Sequence, residues 1–241
     1  MSPTSPRVVV CVGDSITRGQ VSSNYVKRLQ RQWGPKGFTF VNAGVNGDLA
    51  YNVAARLDDV IARRPDLVTL LVGTNDVNSQ FNDAWRARYR KDQKLPADPT
   101  RDWYGQHIDQ ILARLRDETT AHIAVLDIPL LGEDLTSRMN HLVDDYNTTL
   151  HDIAGRHGAS CLPLHDRLVT QLPTGHIPPP YTGDVKIVMK AAARHMLVRQ
   201  SWNTISRRNR LALLTDHIHF NDTAAITVAS LIGDILQEQP T

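Results

Sequence analysis

Five short apolar runs recur along this chain with helix-length segments between them: Arg7–Val12, Phe38–Asn42, Leu67–Val72, His122–Asp127 and Ala159–Leu162. The runs do not alternate in polarity, which is the pattern of strands covered on both faces. Parallel neighbours need a crossover of about a dozen residues or more. The intervening segments supply it, with helical patterns at about Asn24–Trp33, Leu49–Arg63, Trp103–Glu118 and Thr136–His157 and a last helix from Asn221 to about Gln237. The predicted fold is therefore α/β: a three-layer α/β/α sandwich around a mainly five-stranded parallel sheet, in a single domain over 1–241.

Composition narrows the partners. A chain of 241 residues with 41% hydrophobic and 22% charged residues has the balance of a soluble globular protein with a real core. The net charge of +2 is too small to point to nucleic acid, and none is expected as a partner. Cys11 and Cys161 both sit in apolar runs and read as small buried core residues rather than a disulfide framework. No apolar stretch approaches the roughly 20 residues of a bilayer span. Met1–Arg7 has no apolar signal core and Val8–Val12 is too short to be one, so a cytoplasmic setting is expected.

The chemistry begins where the first run stops, at Gly13-Asp14-Ser15-Ile16-Thr17. A serine hydroxyl there lies at the carboxyl end of a strand, where open α/β sheets bind ligands. Serine is a weak nucleophile alone and needs a base, an orienting group and oxyanion donors. The second run passes into Asn42-Ala43-Gly44-Val45-Asn46-Gly47-Asp48, whose glycines let backbone approach a ligand, although an ordinary strand-to-helix turn reads the same way. The third ends in Gly73-Thr74-Asn75-Asp76, where Asn75 is either an amide donor or a turn residue. Near the end, Asp216 and His219 stand three apart in Thr215-Asp216-His217-Ile218-His219, a spacing that puts carboxylate and imidazole on one side of a tight turn. Asp216 is alternatively a helix cap, or a metal ligand with His217 and His219. No further ligand set supports zinc, so neither a metal nor a cofactor is expected.

Taken in order, these four blocks resemble those of the SGNH hydrolases, the GDSL family of esterases and lipases, over residues 8 to about 235. The resemblance implies a flavodoxin-like sheet and an ester hydrolase. It implies Ser15 as nucleophile, His219 as general base and Asp216 as its orienter. It assigns the oxyanion hole to the Ser15 and Gly44 N–H groups and the Asn75 side chain. His217 departs from the pattern, which has glycine after the aspartate. The Gly-x-Ser-x-Gly elbow of the α/β-hydrolases is absent around Ser15. Loops set the substrate, so short acetyl esters, longer acyl esters, thioesters and lysophospholipids are all compatible, as is acyl transfer to an alcohol. A catalytically silent binding module is the alternative outside chemistry, and the intact Ser15, Gly44, Asn75, Asp216 and His219 argue against it. The residues that contact substrate are not legible here.

Two stretches interrupt the rhythm. Asn78–Arg101 is polar and basic. The segment 172–210 begins with prolines and then reads as a basic helical insertion, with seven Lys or Arg and no acid from Lys186 to Arg210. Val188, Met189, Ala192, Met196 and Arg199 share one helical side. Three readings follow: a lid whose Met and Trp side chains shape an acyl pocket, a helix that meets an anionic lipid surface, or a packed surface helix with a solvated cationic face.

Overall fold

The computed structural model describes residues 6–238. The reading of the first five residues lies outside them, as does Gln239–Thr241. Five strands form one parallel sheet: β1 (Arg7–Gly13), β2 (Phe38–Gly44), β3 (Leu67–Leu71), β4 (His122–Leu126) and β5 (Ser160–Leu162), in the order β2-β1-β3-β4-β5. This is the flavodoxin-like order, with helices on both faces of the sheet. Val9 and Cys11 of β1 face the layer of Tyr25–Trp33, Leu164–Val169 and Asp222–Glu238. Val10 and Val12 face the opposite layer, built from Ala50–Ala55, Leu57–Ile61, Arg101–Glu118 and Arg138–His157. Burial on both faces explains why β1, β3 and β4 read as continuous apolar runs.

The register pairs Gly13 with Gly44 on one side and with Leu71 on the other. The carboxyl ends of β1, β2 and β3 are thereby brought level. The chain reverses direction across the sheet between β1 and β3, which is where such sheets open a ligand crevice. Among the described residues, no helix is long and apolar enough to cross a membrane.

Two expectations need correction. The single helix at Leu49–Arg63 is two, Ala50–Ala55 and Leu57–Ile61, broken at Arg56. Cys161 is exposed: β5 is an edge strand with one neighbour, and only Leu162 of its three residues is buried. In the 172–210 segment the helix Val185–Val198 buries Ala191 against Trp202 and Ile205, with the His195 ring stacked on Trp202 at 3.8 Å. Met189 and Met196 lie on the outward side, 66% and 58% exposed. The small Ala191, not the methionines, makes the close packing contact. The polar 78–101 stretch, for its part, contains a helix, Asp83–Asp92, capped by Asn82 and buried at Tyr89.

Candidate active site

The turn after β1 carries Ser15. Asp14 caps the short helix Ser15–Arg18, its Oδ1 accepting from the Ile16 N–H at 2.9 Å. The end of β2 packs directly on this turn. A Cβ at Gly44 would collide with the Arg18 nitrogen and the Asp14 carbonyl oxygen, so only glycine fits. Asn42 ties the two together, donating from Nδ2 to the Thr17 carbonyl at 2.8 Å and accepting the Gly44 N–H at 3.0 Å.

The segment with His219 is fixed by a residue from another part of the chain. The fully buried Glu133 carboxylate accepts the backbone N–H groups of Ala212, Leu213 and Leu214, each at 2.8 Å, and also contacts His176 Nε2 at 2.6 Å. Beyond this clamp, Asp216 Oδ1 accepts the N–H groups of Ile218 at 3.1 Å and His219 at 2.9 Å. That closes the tight turn. His217 takes the left-handed backbone, φ 74°, that a glycine adopts freely. Its carbonyl accepts the Gly132 N–H at 2.7 Å and its ring lies 5.7 Å from that of Tyr181. These contacts hold a conformation that a side chain disfavours by about 1–2 kcal/mol.

The turn sets His219 Nδ1 2.9 Å from Asp216 Oδ2 and Nε2 2.9 Å from Ser15 Oγ. All three residues are buried. With the Nδ1 proton donated to Asp216, neutral His219 presents Nε2 as an acceptor to the serine hydroxyl. Burial lowers the proton affinity of His219, but the charge and hydrogen bond of Asp216, aided by Asp14, outweigh it and leave its pKa above 6.5. Burial, chiefly, pushes the Asp14 carboxyl up to about 7, although the Ile16 N–H and His219 oppose it.

The expected oxyanion donors differ in availability. The Ser15 N–H opens its helix, where no intrahelical partner exists. The Gly44 N–H is engaged by Asn42. Asn75, just after β3, donates from Nδ2 to the Asp48 carbonyl at 2.9 Å and more loosely to Asp14 Oδ2 at 3.3 Å. Arg56 backs this corner, pairing with Asp48 at 2.7 Å and donating to the Gly13 carbonyl. Among the described residues, no group of three or more His, Cys, Asp or Glu is placed to hold a metal ion. Glu133 and Arg56 escaped the sequence reading because their partners are backbone groups and turns that only the fold brings near. Tyr89, whose hydroxyl touches Asn75 Oδ1, escaped for the same reason.

A five-stranded parallel sheet with Ser15 just past the carboxyl end of β1, hydrogen-bonded to His219 and through it to Asp216, defines the class: an α/β protein with its candidate site at the topological switch point. The chain belongs to the GDSL-like lipase/acylhydrolase family, whose model matches residues 11–184. It is 33% identical over 88 residues to an acetylxylan esterase of Geobacillus stearothermophilus, a match spanning 30% of this chain and 40% of that protein. Solved structures share the fold over nearly the whole length. An acetyl xylan esterase, AlAXEase, aligns with TM-score 0.65 and 17% identity over 95% of this chain and 99% of its own. The acetylxylan esterase Axe2 of Geobacillus stearothermophilus aligns with TM-score 0.65 and 19% identity, covering 96% and 94%.

Proposed function

We propose that this chain is a serine esterase that cleaves acyl esters through Ser15, His219 and Asp216 by way of an acyl-enzyme. The observation that carries the reading is the unbroken line Ser15 Oγ–His219 Nε2 and His219 Nδ1–Asp216, each 2.9 Å long. Ser15 Oγ attacks the ester carbonyl as His219 takes its proton, and Asp216 stabilises the imidazolium. The developing oxyanion meets the Ser15 N–H and the Asn75 amide. The loose Asn75–Asp14 bond is the one that an oxyanion replaces, and the Gly44 N–H joins if Asn42 yields it. His219 then protonates the leaving alcohol, and water repeats the sequence on the acyl-enzyme.

A short acyl group, such as the acetyl ester of a sugar hydroxyl, is the favoured substrate class. The similar proteins named above are acetylxylan esterases. An open groove of about 460 Å³ on this chain is lined by Arg28, Arg31 and Ile226, not by the serine. Hydrolysis of p-nitrophenyl esters from acetyl to octanoyl, beside acetylated xylooligosaccharides, tests this. A rate that falls with chain length supports it, and a preference for octanoyl overturns it. Added alcohol acceptors separate hydrolysis from acyl transfer by the products formed.

The outward side of Val185–Val198 has its own feature: exposed Met189, Met196 and Leu197 beside Lys186 and Lys190. That composition suits peripheral contact with an anionic lipid surface. Co-sedimentation with phosphatidylglycerol vesicles at low salt tests it, and protein left wholly in the supernatant rules it out.

A further inference from the structure

The Asn75 amide is held from behind by a buried relay. Tyr89 Oη donates to Asn75 Oδ1 at 2.7 Å, Asn78 Nδ2 donates to Tyr89 Oη at 3.1 Å, and Tyr181 Oη donates to Asn78 Oδ1 at 2.7 Å. Asn75, Asn78 and Tyr89 are all buried. A phenol has a single proton. Because Asn78 fills the accepting side of Tyr89, that proton is committed to Asn75 Oδ1. On the other side, Asn75 Nδ2 faces two acceptors, the Asp48 carbonyl and Asp14 Oδ2. Turning the amide over would set its oxygen against both of them. Burial, reinforced by the charges of Tyr181, Asp14 and Asp76, pushes the Tyr89 phenol well above its ordinary range despite the Asn78 bond, so it remains a donor at neutral pH.

We infer that Tyr89 is a positioning residue for Asn75: its hydroxyl fixes which way the amide faces and polarises the N–H that meets the oxyanion. Donation into an amide oxygen strengthens the donors on its nitrogen. The inference rests on the reading of Asn75 as an oxyanion donor. It also gives a role to the polar 78–101 stretch, which delivers Tyr89 on the helix Asp83–Asp92.

The test is Tyr89→Phe, which keeps the ring packed with Leu49, Leu95 and Trp85 and removes only the hydroxyl. With p-nitrophenyl acetate, kcat should fall about five- to tenfold, the worth of one buried neutral hydrogen bond, with KM unchanged. Affinity for a boronic acid that forms a tetrahedral adduct on Ser15 should fall by the same factor. In an Asn75→Ala background, Tyr89→Phe should cost nothing more. If it costs as much there as in the parent, Tyr89 acts on general structure and the inference is overturned while the Asn75 reading stands. If Asn75→Ala itself keeps full kcat, both fall together.

Discussion

Glu133 offers a test of how the His219 segment is held. Its carboxylate is fully buried and has four partners: the Leu213 and Leu214 N–H groups on Oε1, and the Ala212 N–H and His176 on Oε2. In Glu133→Gln, the surviving oxygen can keep the first pair. The new NH₂ then faces the Ala212 N–H, donor against donor. Hydrogen bonds to a charged group contribute about 1.5–3 kcal/mol each, and a change of His176 tautomer recovers part of one of the two lost. The expected loss is about 3 kcal/mol. For a chain of this size, each kcal/mol shifts the melting temperature by about 2–4 °C, so calorimetry should show a fall of about 6–12 °C. Because Ala212–Leu214 leads into Asp216, kcat measured well below the melting point should also fall by about tenfold or more, as small misplacements of reacting groups do. A melting temperature shifted by less than about 1 °C, with kcat unchanged, would refute the clamp.

Other outcomes follow from the same geometry. Asn75→Ala should stay folded and lose about 10²–10³ in kcat on p-nitrophenyl acetate, as expected for one oxyanion donor. An unchanged kcat removes Asn75 from the site. His219 must be neutral to accept the serine proton, and its pKa lies above 6.5, so kcat/KM should rise with pH through a midpoint above 6.5. Asp216→Asn removes the larger of the two charges that hold that value up, so burial acts downward against Asp14 alone. The midpoint should drop and the plateau rate should fall by about 10⁴. Because Asp14 is pushed up to about 7, the profile is repeated in Asp14→Asn, where the limb should persist. Loss of the limb there would assign it to Asp14 instead.

The sheet was legible because all five strands are apolar and separated by helix-length crossovers, a pattern with few other solutions. The split at Arg56 was not legible, since the apolar spacing continues through Leu57 while the break accompanies the contacts of Arg56 with Asp48 and the Gly13 carbonyl. In Val185–Val198 a small residue, Ala191, makes the buried contact and the larger methionines face water, an arrangement that apolar spacing alone does not give. Within the candidate site, Ser15, Asn75, Asp216 and His219 lie in ordered blocks of the sequence, and the fold brings them together. Glu133 and Tyr89 could not be read there, because a carboxylate that binds backbone and a tyrosine within a basic helix leave no local signature. His217 stood out as a departure from glycine, and only the backbone showed that the left-handed conformation is kept.

The most direct measurement is hydrolysis of p-nitrophenyl acetate by Ser15→Ala beside the unchanged protein, both checked for folding by their melting temperatures. Ser15 Oγ is the atom that His219 contacts at 2.9 Å, and its removal leaves no nucleophile in that line. The variant should keep its fold and lose about 10⁶ in kcat, as deletion of a serine nucleophile does in comparable sites. A folded Ser15→Ala protein that hydrolyses the ester at the original rate would contradict the account.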